Sequence, residues 1–216
     1  MKSRLAVIST KNPTSVLLHT VTQLNLYYPE FDIVIIDSDS TETKGFAYIP
    51  ESCTIERCCN KNWELGAWDY AFRKYPNYEV YMFLQDTLIP TRRIPELNIG
   101  TYDPGTIFTF NYNCFLSQGG YYDDLVRVYK DTECHFISQI PPTASITGGA
   151  HSFFITDRAH VPRILLLERP YATKGLTKSK IDSWLSERTV GIIASTFKRR
   201  IDAQHSFHKI HGGRLK

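Results

Sequence analysis

Three apolar runs in the sequence each stop at a hydroxyl, amide or carboxyl side chain. Ser9 and Thr10 close the first run, Asp37 closes the second, and Gln85 and Asp86 close the third. If these runs are parallel strands, their carboxyl ends share one edge of a sheet, where α/β proteins bind ligands. Carboxylates there suit Mg²⁺ or Mn²⁺, which would bridge to nucleotide phosphates. The alternative is local, because Asp37 and Asp86 are also good turn residues.

Signature motifs of other nucleotide and hydrolytic enzymes are missing from the sequence. It has no G-x-x-x-x-G-K-[ST] phosphate loop and no G-x-G-x-x-G after the first apolar run. It also lacks the G-x-S-x-G turn of α/β-hydrolases and an H-E-x-x-H zinc motif. What remains is a set of carboxylates at strand ends together with a basic C-terminal stretch, and this combination suits a nucleoside diphosphate held through a divalent cation.

The composition is that of one globular domain. The chain has 216 residues, of which 42% are hydrophobic and 22% charged, enough to build a sizeable core. No apolar run approaches the roughly 20 residues of a membrane span, and the N-terminal run is too short for a secretory signal. The five cysteines include no C-x-x-C pair, which favours reduced thiols in a cytoplasmic protein.

Positive charge is concentrated at the C-terminal end. Residues 197–216 carry six Lys or Arg against one Asp, although the net charge of the whole chain is only +3. Three histidines, His205, His208 and His211, lie in the same stretch. This stretch suits a phosphate-rich partner, and the alternative is a solvated tail.

The apolar pattern predicts a strand, a helix and a strand over residues 4–37. RLAVIST and DIVIID have the continuous apolar character of buried strands, and apolar residues at helical spacing lie between them. Asn12 is predicted to cap the helix, with Pro13 in its first turn. Such a unit favours a parallel sheet with a right-handed crossover.

Further helices and strands alternate along the chain. Helices are predicted at WELGAWDYAFRKY, HVPRILLLER and SKIDSWLSERTVGIIASTFKRR, and strands at CTIERCC, EVYMFLQD, GTIFTFNYN and HSFFITD. No internal repeat or linker divides the sequence. We therefore expect a single α/β domain over residues 1–216, with a mostly parallel central sheet flanked by helices on both faces.

Four stretches, in order, resemble the GT-A class of glycosyltransferases. LAVIST is similar to the first strand of that fold, and VIIDSDSTE to its strand ending in an aspartate. NWELGAWDYAFRKYPNYEVYMFLQDTLIP resembles the segment leading to the metal-binding aspartate, and IDSWLSER resembles a later acidic motif. The FLQD form is similar to that of polysaccharide and viral members, including chlorella-virus-type domains. The resemblance implies a nucleotide-binding half, residues 1–100, and an acceptor-binding half, residues 101–216.

The resemblance also implies an activity. A sugar would move from a nucleotide sugar, a UDP-sugar by preference, to a glycan hydroxyl with inversion. Mn²⁺ or Mg²⁺ and the nucleotide-sugar donor would be bound, and nucleic acid would not be a partner. The predicted donor-binding residues are Thr10, Asp37, Arg57, Trp63 and Asp86.

The metal motif departs from the family pattern, which has one aspartate on each side of a single central residue. Gln85 and Thr87 occupy those outer positions beside Asp86, and a single carboxylate binds a divalent ion weakly. His208 and His211 are the predicted additional ligands, because HKIHGG resembles the C-terminal metal-binding turn of some members. The alternative is that both histidines are ordinary surface residues.

Asp182 is the predicted general base, because it has the place of the aspartate in the later acidic motif. The resemblance extends to Leu185 and Arg188, which follow it at the family spacing. Ser179 and Asp182 also have the S-x-x-[DE] spacing of a capping box, so a structural role is the alternative.

Acceptor sugars are predicted to lie on aromatic and polar side chains of GGYYDDLVR and TGGAHSFF. Burial in the core is the alternative for the aromatic rings, and the two aspartates of the first run are further candidates for the base. The candidates for acceptor contact are Tyr121, Tyr122, Asp124, His151 and Phe153.

Three other functions stay open from the sequence. A nucleotidyltransferase that makes a sugar nucleotide would need a Gly-rich basic loop, which STKNPTS lacks. A nucleic-acid-binding module would use the basic C-terminal stretch, against which the mild net charge counts. A catalytically inactive domain would account for the missing outer aspartates.

Overall fold

A sheet of seven strands, counted over the described residues, forms the centre of the protein. The computed structural model describes residues 3–60, 62–117, 120, 122–176 and 179–211. The strands are β1 (Arg4–Thr10), β2 (Phe31–Asp37), β3 (Thr54–Arg57), β4 (Val80–Gln85), β5 (Leu88–Pro90), β6 (Thr106–Phe115), β7 (Ser145–Asp157), β8 (Arg199–Asp202) and β9 (Phe207–Lys209). Their order across the sheet is β3-β2-β1-β4-β7-β6-β8, and β5 pairs separately with β9.

Strand β1 lies between β2 and β4 and is parallel to both. The register places Thr10 opposite Asp37 and Ser9 opposite Gln85. The polar strand ends therefore meet at one carboxyl edge of the sheet. β7 runs antiparallel to its neighbours β4 and β6, while β2–β3 and β6–β8 are parallel pairs. This is the mostly parallel sheet that the sequence predicts.

Helices cover both faces of the sheet because side chains alternate along each strand. The helices are α1 (Ser15–Tyr27), α2 (Trp63–Lys74), α3 (Tyr122–Tyr129), α4 (His135–Ser138), α5 (Val161–Leu165), α6 (Arg169–Thr173) and α7 (Lys180–Ala194). Val7 of β1 belongs to one buried cluster with Trp68 of α2 and Leu185 of α7. Ile8 of β1 belongs to the other cluster with Leu17 of α1. The prediction of one α/β domain with helices on both faces is confirmed.

The start of α1 differs from the prediction. Thr14 is its N-cap and accepts a hydrogen bond from the Val16 N–H at 3.3 Å. Asn12 instead has a left-handed backbone with φ 53°. Its Oδ1 accepts hydrogen bonds from the backbone N–H groups of Thr41 and Glu42 at 2.8 and 3.0 Å. Asn12 therefore fastens the loop after β2 to the end of β1.

The basic C-terminal stretch is folded as far as the structure describes it. The helix predicted to run to Arg200 ends at Ala194, and residues 199–202 form β8 beside β6. β9 pairs with β5 so that Lys209 lies opposite Leu88. Pairing with distant strands overrides the local helical pattern after Ala194. Because residues 199–202 and 207–209 are strands, the alternative of a solvated tail is wrong for the described part of this stretch. Residues 212–216, with the glycines of HKIHGG, lie outside the described residues.

The structure also bears on membrane spans and on the state of the cysteines. Across the described ranges, no helix has both the length and the apolar character needed to span a bilayer. All five cysteines have free thiols, with Cys58, Cys114 and Cys134 buried.

Candidate functional site

A cleft of about 520 Å³ opens at the carboxyl edge of the sheet. It joins the ends of β1 and β4 to the loops that follow β2 and precede α2. Among the described residues, its lining comes from the first half of the chain: Ser9, Thr10, Lys11, Ser38, Asp39, Cys59, Asn60, Trp63, Glu64, Gln85 and Asp86.

Thr10 and Asp86 form the centre of this cleft. The Thr10 hydroxyl donates to Asp86 Oδ2 at 2.5 Å, and the Asp86 N–H donates to the Ser9 carbonyl at 3.1 Å. From α1, the Thr20 hydroxyl holds the Asp86 carbonyl at 2.7 Å. Burial raises the pKa of the Asp86 carboxyl, and the Thr10 hydrogen bond and the Lys209 charge act in the opposite direction. The two predicted strand-end residues therefore meet, with the carboxyl group fixed in place.

Asp37 stabilises a turn, which is the alternative to ligand binding that the sequence offers for it. Its side chain is 4% exposed, and its Oδ1 accepts the Ser40 N–H at 2.9 Å. Arg57 supports this loop from outside, because its guanidinium donates to the Ser40 carbonyl at 2.9 Å and lies 3.6 Å from Asp39. Asp39, which sequence reasoning missed, is the acidic residue of this loop that lines the cleft, and its φ of 61° turns it there. The cleft lining includes neither Asp37 nor Arg57.

Trp63 lines the cleft, as predicted for a donor-binding residue, on the first turn of α2. Its φ of 55° lies in the left-handed region, which is strained for a bulky residue. Asn60 holds this conformation by donating to the Trp63 carbonyl at 2.6 Å and to Ser38 Oγ at 3.2 Å. Gly66 leaves room for this loop, since a Cβ there would lie 2.2 Å from Asn60 Oδ1.

Lys209 is a cation that sequence reasoning did not single out within the basic stretch. Its ammonium donates to Gln85 Oε1 and to Thr87 Oγ1, the side chains on either side of Asp86. Burial lowers the pKa of Lys209, and nearby carboxylates, Asp86 first among them, oppose this shift.

His151 lies at an irregular point of β7 beside the cleft. His151 and Ser152 both have left-handed φ values, 57° and 53°, where the β6–β7 register shifts. This bulge lets the His151 N–H donate to Glu187 Oε1 at 3.0 Å. The His151 carbonyl accepts from Gln85 Nε2 at 3.3 Å. The bulge therefore connects α7 with the end of β4.

The His151 and Glu187 side chains have shifted acidities. Burial, with the Lys209 and His211 charges, lowers the pKa of His151 to about 4. Burial raises the pKa of Glu187, and the carboxylate of Glu64 in the cleft lining adds to this increase. The Glu187 side chain is still 25% exposed. A partly exposed carboxyl group with a raised pKa is a candidate for proton transfer.

Glu187 was not predicted, although the sequence holds one indication of it. Gly191 lies one turn further along α7, and a Cβ there would be 2.2 Å from the Thr147 carbonyl of β7. A glycine inside a helix often marks a close approach of backbones. The face of α7 that carries Glu187 is the face that packs on the sheet.

Asp182 occupies the capping box rather than the cleft. Its Oδ2 accepts from the Ser179 N–H at 2.8 Å, and its own N–H donates to Ser179 Oγ at 3.2 Å. Arg127 donates to Oδ1 at 3.0 Å and Tyr171 at 3.3 Å. With 2% exposure and both oxygens engaged, Asp182 is placed as a helix cap and not as a general base.

Among the other predicted acceptor residues, Tyr122 and Asp124 lie on α3 and Phe153 lies in β7. Tyr122 packs against one of the hydrophobic cores. Asp124 pairs with Arg127 at 3.3 Å. Phe153 is fully buried, which agrees with the core alternative, and Tyr121 lies outside the described residues. His151 is the member of this predicted set that adjoins the cleft network.

The residues around Asp86 do not fit a resident divalent ion. His208 is exposed on the opposite face of β9 from Lys209. The His211 ring lies beside His151, with 6.2 Å between centroids. The described residues include every His, Cys, Asp and Glu of the chain, and no three or more of them gather as a metal site. The predicted set of Asp86, His208 and His211 is therefore not assembled.

Comparisons with known proteins identify the fold. No protein-family model matches the chain, and no curated protein matches it in sequence. The structure is similar to that of core-mannan synthase A (CmsA/Ktr4) from Aspergillus fumigatus in its Mn/GDP form. The TM-score is 0.55 at 11% identity, over 97% of this chain and 75% of the synthase.

A second solved structure with the same likeness is GalNAc-T7 with UDP, GalNAc and Mn²⁺. The TM-score is 0.51 at 13% identity, over 85% of this chain and 39% of that one. At these identities the likeness is one of fold, and the chain has the GT-A fold of glycosyltransferases.

Proposed function

We propose that this GT-A-fold chain is a glycosyltransferase that moves a sugar from a nucleoside diphosphate sugar to a hydroxyl of a glycan. The observation that carries the proposal is the meeting of Thr10 and Asp86 at a cleft on the carboxyl edge of the sheet. Support comes from solved structures of similar fold that contain GDP or UDP with Mn²⁺. UDP is the favoured nucleotide, and a cytoplasmic location in viral or polysaccharide glycosylation stays a prediction.

The nucleotide would be held by the walls of the cleft. Trp63, 41% exposed, offers a ring on which a base or sugar can lie. Asp39 and Asn60 offer oxygen and amide groups for the ribose or base. Asp37 and Arg57 contribute indirectly by fixing the loop that carries Asp39.

The acceptor proton would be taken by Glu187, which replaces Asp182 in this role. Its carboxyl group accepts the His151 N–H at the bulge of β7, and the charge of Glu64 in the cleft lining acts on it, although Glu187 is not itself among the lining residues. The raised pKa brings the carboxyl group closer to the working pH, and a positioned base contributes about 10²- to 10⁴-fold to rate. One base acting on the acceptor directly corresponds to inversion at the sugar carbon. His151 would then contact the acceptor, while Tyr122 and Asp124 stay predicted contacts further along it.

Donor hydrolysis tests the proposal without knowledge of the acceptor, because water can replace the glycan hydroxyl. A panel of UDP- and GDP-sugars is incubated with the protein, and release of the nucleoside diphosphate is measured. We expect slow hydrolysis of at least one sugar nucleotide, and a lower rate in Asp86→Asn, because that variant loses the carboxyl group that accepts the Thr10 hydroxyl and favours the ammonium form of Lys209. Asp103→Asn is the matched control, because that carboxylate is 42% exposed and pairs with Lys198.

Loss of the reaction in Asp86→Asn with retention in Asp103→Asn supports the cleft as the site. If no member of the panel is hydrolysed and none raises the melting temperature, the proposed function is wrong. The same result would favour the catalytically inactive domain.

A further inference from the structure

The side chains on either side of Asp86 are already bound to a cation that belongs to the protein. Lys209 Nζ donates to both Gln85 Oε1 and Thr87 Oγ1. A divalent ion that used these two oxygens would have to displace the ammonium. Asp86 itself supplies one carboxylate, which is shared with the Thr10 hydroxyl at 2.5 Å.

Lys209 is held in this position by the fold. β9 pairs with β5, and the N–H of Ile210 donates to the Thr87 carbonyl at 3.0 Å. Phe207, two residues before Lys209, is buried against Tyr28 and Phe153, with ring centroids 6.3 and 4.9 Å away. The ammonium is therefore placed by a strand and an aromatic anchor rather than by an exposed tail.

Three acidic side chains oppose the lowering of the Lys209 pKa that burial causes. Asp86, Glu64 and Glu187 all act on it in the direction that favours the ammonium form. The charges of these three carboxyl groups favour a cation at this position. They do not supply a free set of ligands for a second cation, and no group of three such ligands gathers among the residues described.

We infer that the Lys209 ammonium, rather than a divalent metal ion, neutralises the diphosphate of the donor in this protein. The inference rests on the proposed function, since it concerns the leaving group of that reaction. The bond from the sugar carbon to the diphosphate oxygen breaks, the electron pair stays on the diphosphate, and Lys209 stabilises that charge. The acceptor oxygen forms the new bond and gives its proton to Glu187. Lys209 is not itself in the cleft lining and adjoins it through Gln85, whereas Lys11 belongs to the lining on the side of β1.

Calorimetry with UDP and GDP, in excess EDTA and in excess MnCl₂, tests the inference. For the wild-type protein we expect a Kd for the diphosphate that changes less than about twofold between the two conditions. Lys209→Met should weaken diphosphate binding roughly 10- to 100-fold, the usual range for a hydrogen bond to a charged group. Binding of uridine or guanosine, which carry no phosphate, should not change. Lys198→Met is the control, because that cation is 69% exposed and pairs with Asp103.

Lys209→Arg keeps the charge and should retain most of the diphosphate affinity, which separates charge from folding if Lys209→Met is unstable. Wild-type binding that disappears in EDTA and returns with Mn²⁺ would overturn the inference and leave the proposed function standing. Unchanged diphosphate binding in folded Lys209→Met would also overturn it. If neither nucleotide binds under either condition, the proposed function fails and this inference fails with it.

Discussion

The hydroxyl of Thr10 lies 2.5 Å from Asp86 Oδ2 and joins the carboxyl ends of β1 and β4. Thr10 is 4% exposed, so the carboxyl group loses its main hydrogen-bond donor if that hydroxyl is removed. An unsatisfied buried polar group costs about 1–3 kcal/mol. The bond is therefore expected to matter both for folding and for the shape of the cleft.

Thr10→Val should lower the free energy of unfolding by about 1–3 kcal/mol and weaken nucleotide binding roughly tenfold. Thr10→Ser keeps the hydroxyl and should have less than half of either effect. Urea denaturation and calorimetry measure the two quantities. Equal behaviour of the valine and serine variants would show that the hydrogen bond contributes nothing.

Glu187 and Asp182 lie on the same helix and should respond differently to loss of charge. Glu187→Gln should reduce donor turnover about 10²- to 10⁴-fold with nucleotide affinity unchanged, because a positioned base is lost. In Asp182→Asn we expect a loss of about 1–3 kcal/mol of stability, since the capping box and the contact with Arg127 are broken. At temperatures where it is folded, this variant should keep most of its turnover. Loss of turnover in folded Asp182→Asn, with normal turnover in Glu187→Gln, would reverse the assignment.

Much of the sheet could be predicted because its central strands are continuous apolar runs. The parallel register then carries Thr10 and Asp86 to the same edge without further information. Asp37 was predicted to contact the donor, but its side chain stabilises a turn. Asp39, two residues further on, lines the cleft instead. Local pattern does not reveal which carboxylate of DSDS lines the cleft.

The site residues that sequence reasoning missed or could not place depend on pairing between distant parts of the chain. Lys209 reaches Gln85 over 124 residues of chain, through a three-residue strand with no clear pattern of its own. Glu187 is placed by the packing of α7 on β7, where Gly191 was the one local indication. His151 was proposed for its residue type, whereas its place at the cleft comes from the bulge in β7.

Gly191 should be intolerant of a side chain. A Cβ there would lie 2.2 Å from the Thr147 carbonyl and 2.5 Å from Gly148 Cα, both of which are backbone atoms. Gly191→Ala should cost about 2–4 kcal/mol of stability, as overpacking against backbone does. It should also lower turnover, because α7 carries Glu187. Ile181→Ala, at a position 41% exposed on the same helix, should change stability by less than about 0.5 kcal/mol.

His151 should make the protein sensitive to mild acid. Its pKa is about 4 in the folded protein, against 6.5 ordinarily. Between these values the unfolded chain binds a proton that the folded chain does not, so the free energy of unfolding falls as the pH falls. The loss should amount to about 3 kcal/mol by pH 4. Above pH 6.5, the ordinary pKa of histidine, His151 is neutral in both the folded and the unfolded state and causes no loss of stability.

His151→Asn is the variant that checks this effect, because Asn tolerates the left-handed backbone and does not titrate in this range. Urea unfolding of both proteins across the acid range should give a shallower pH dependence for the variant. Parallel curves for the wild type and the variant would mean that His151 does not cause the loss.

Cys59 gives the most direct test of where the donor binds. It is exposed and lines the cleft, whereas Cys53 is partly buried and does not belong to the lining. The native protein is alkylated with and without the nucleotide sugar that stabilises it most, and the rate at each cysteine is followed by mass spectrometry. At a concentration about ten times the Kd, we predict that labelling of Cys59 slows about tenfold while labelling of Cys53 does not change. An unchanged rate at Cys59 with saturating ligand would contradict the assignment of the cleft as the donor site.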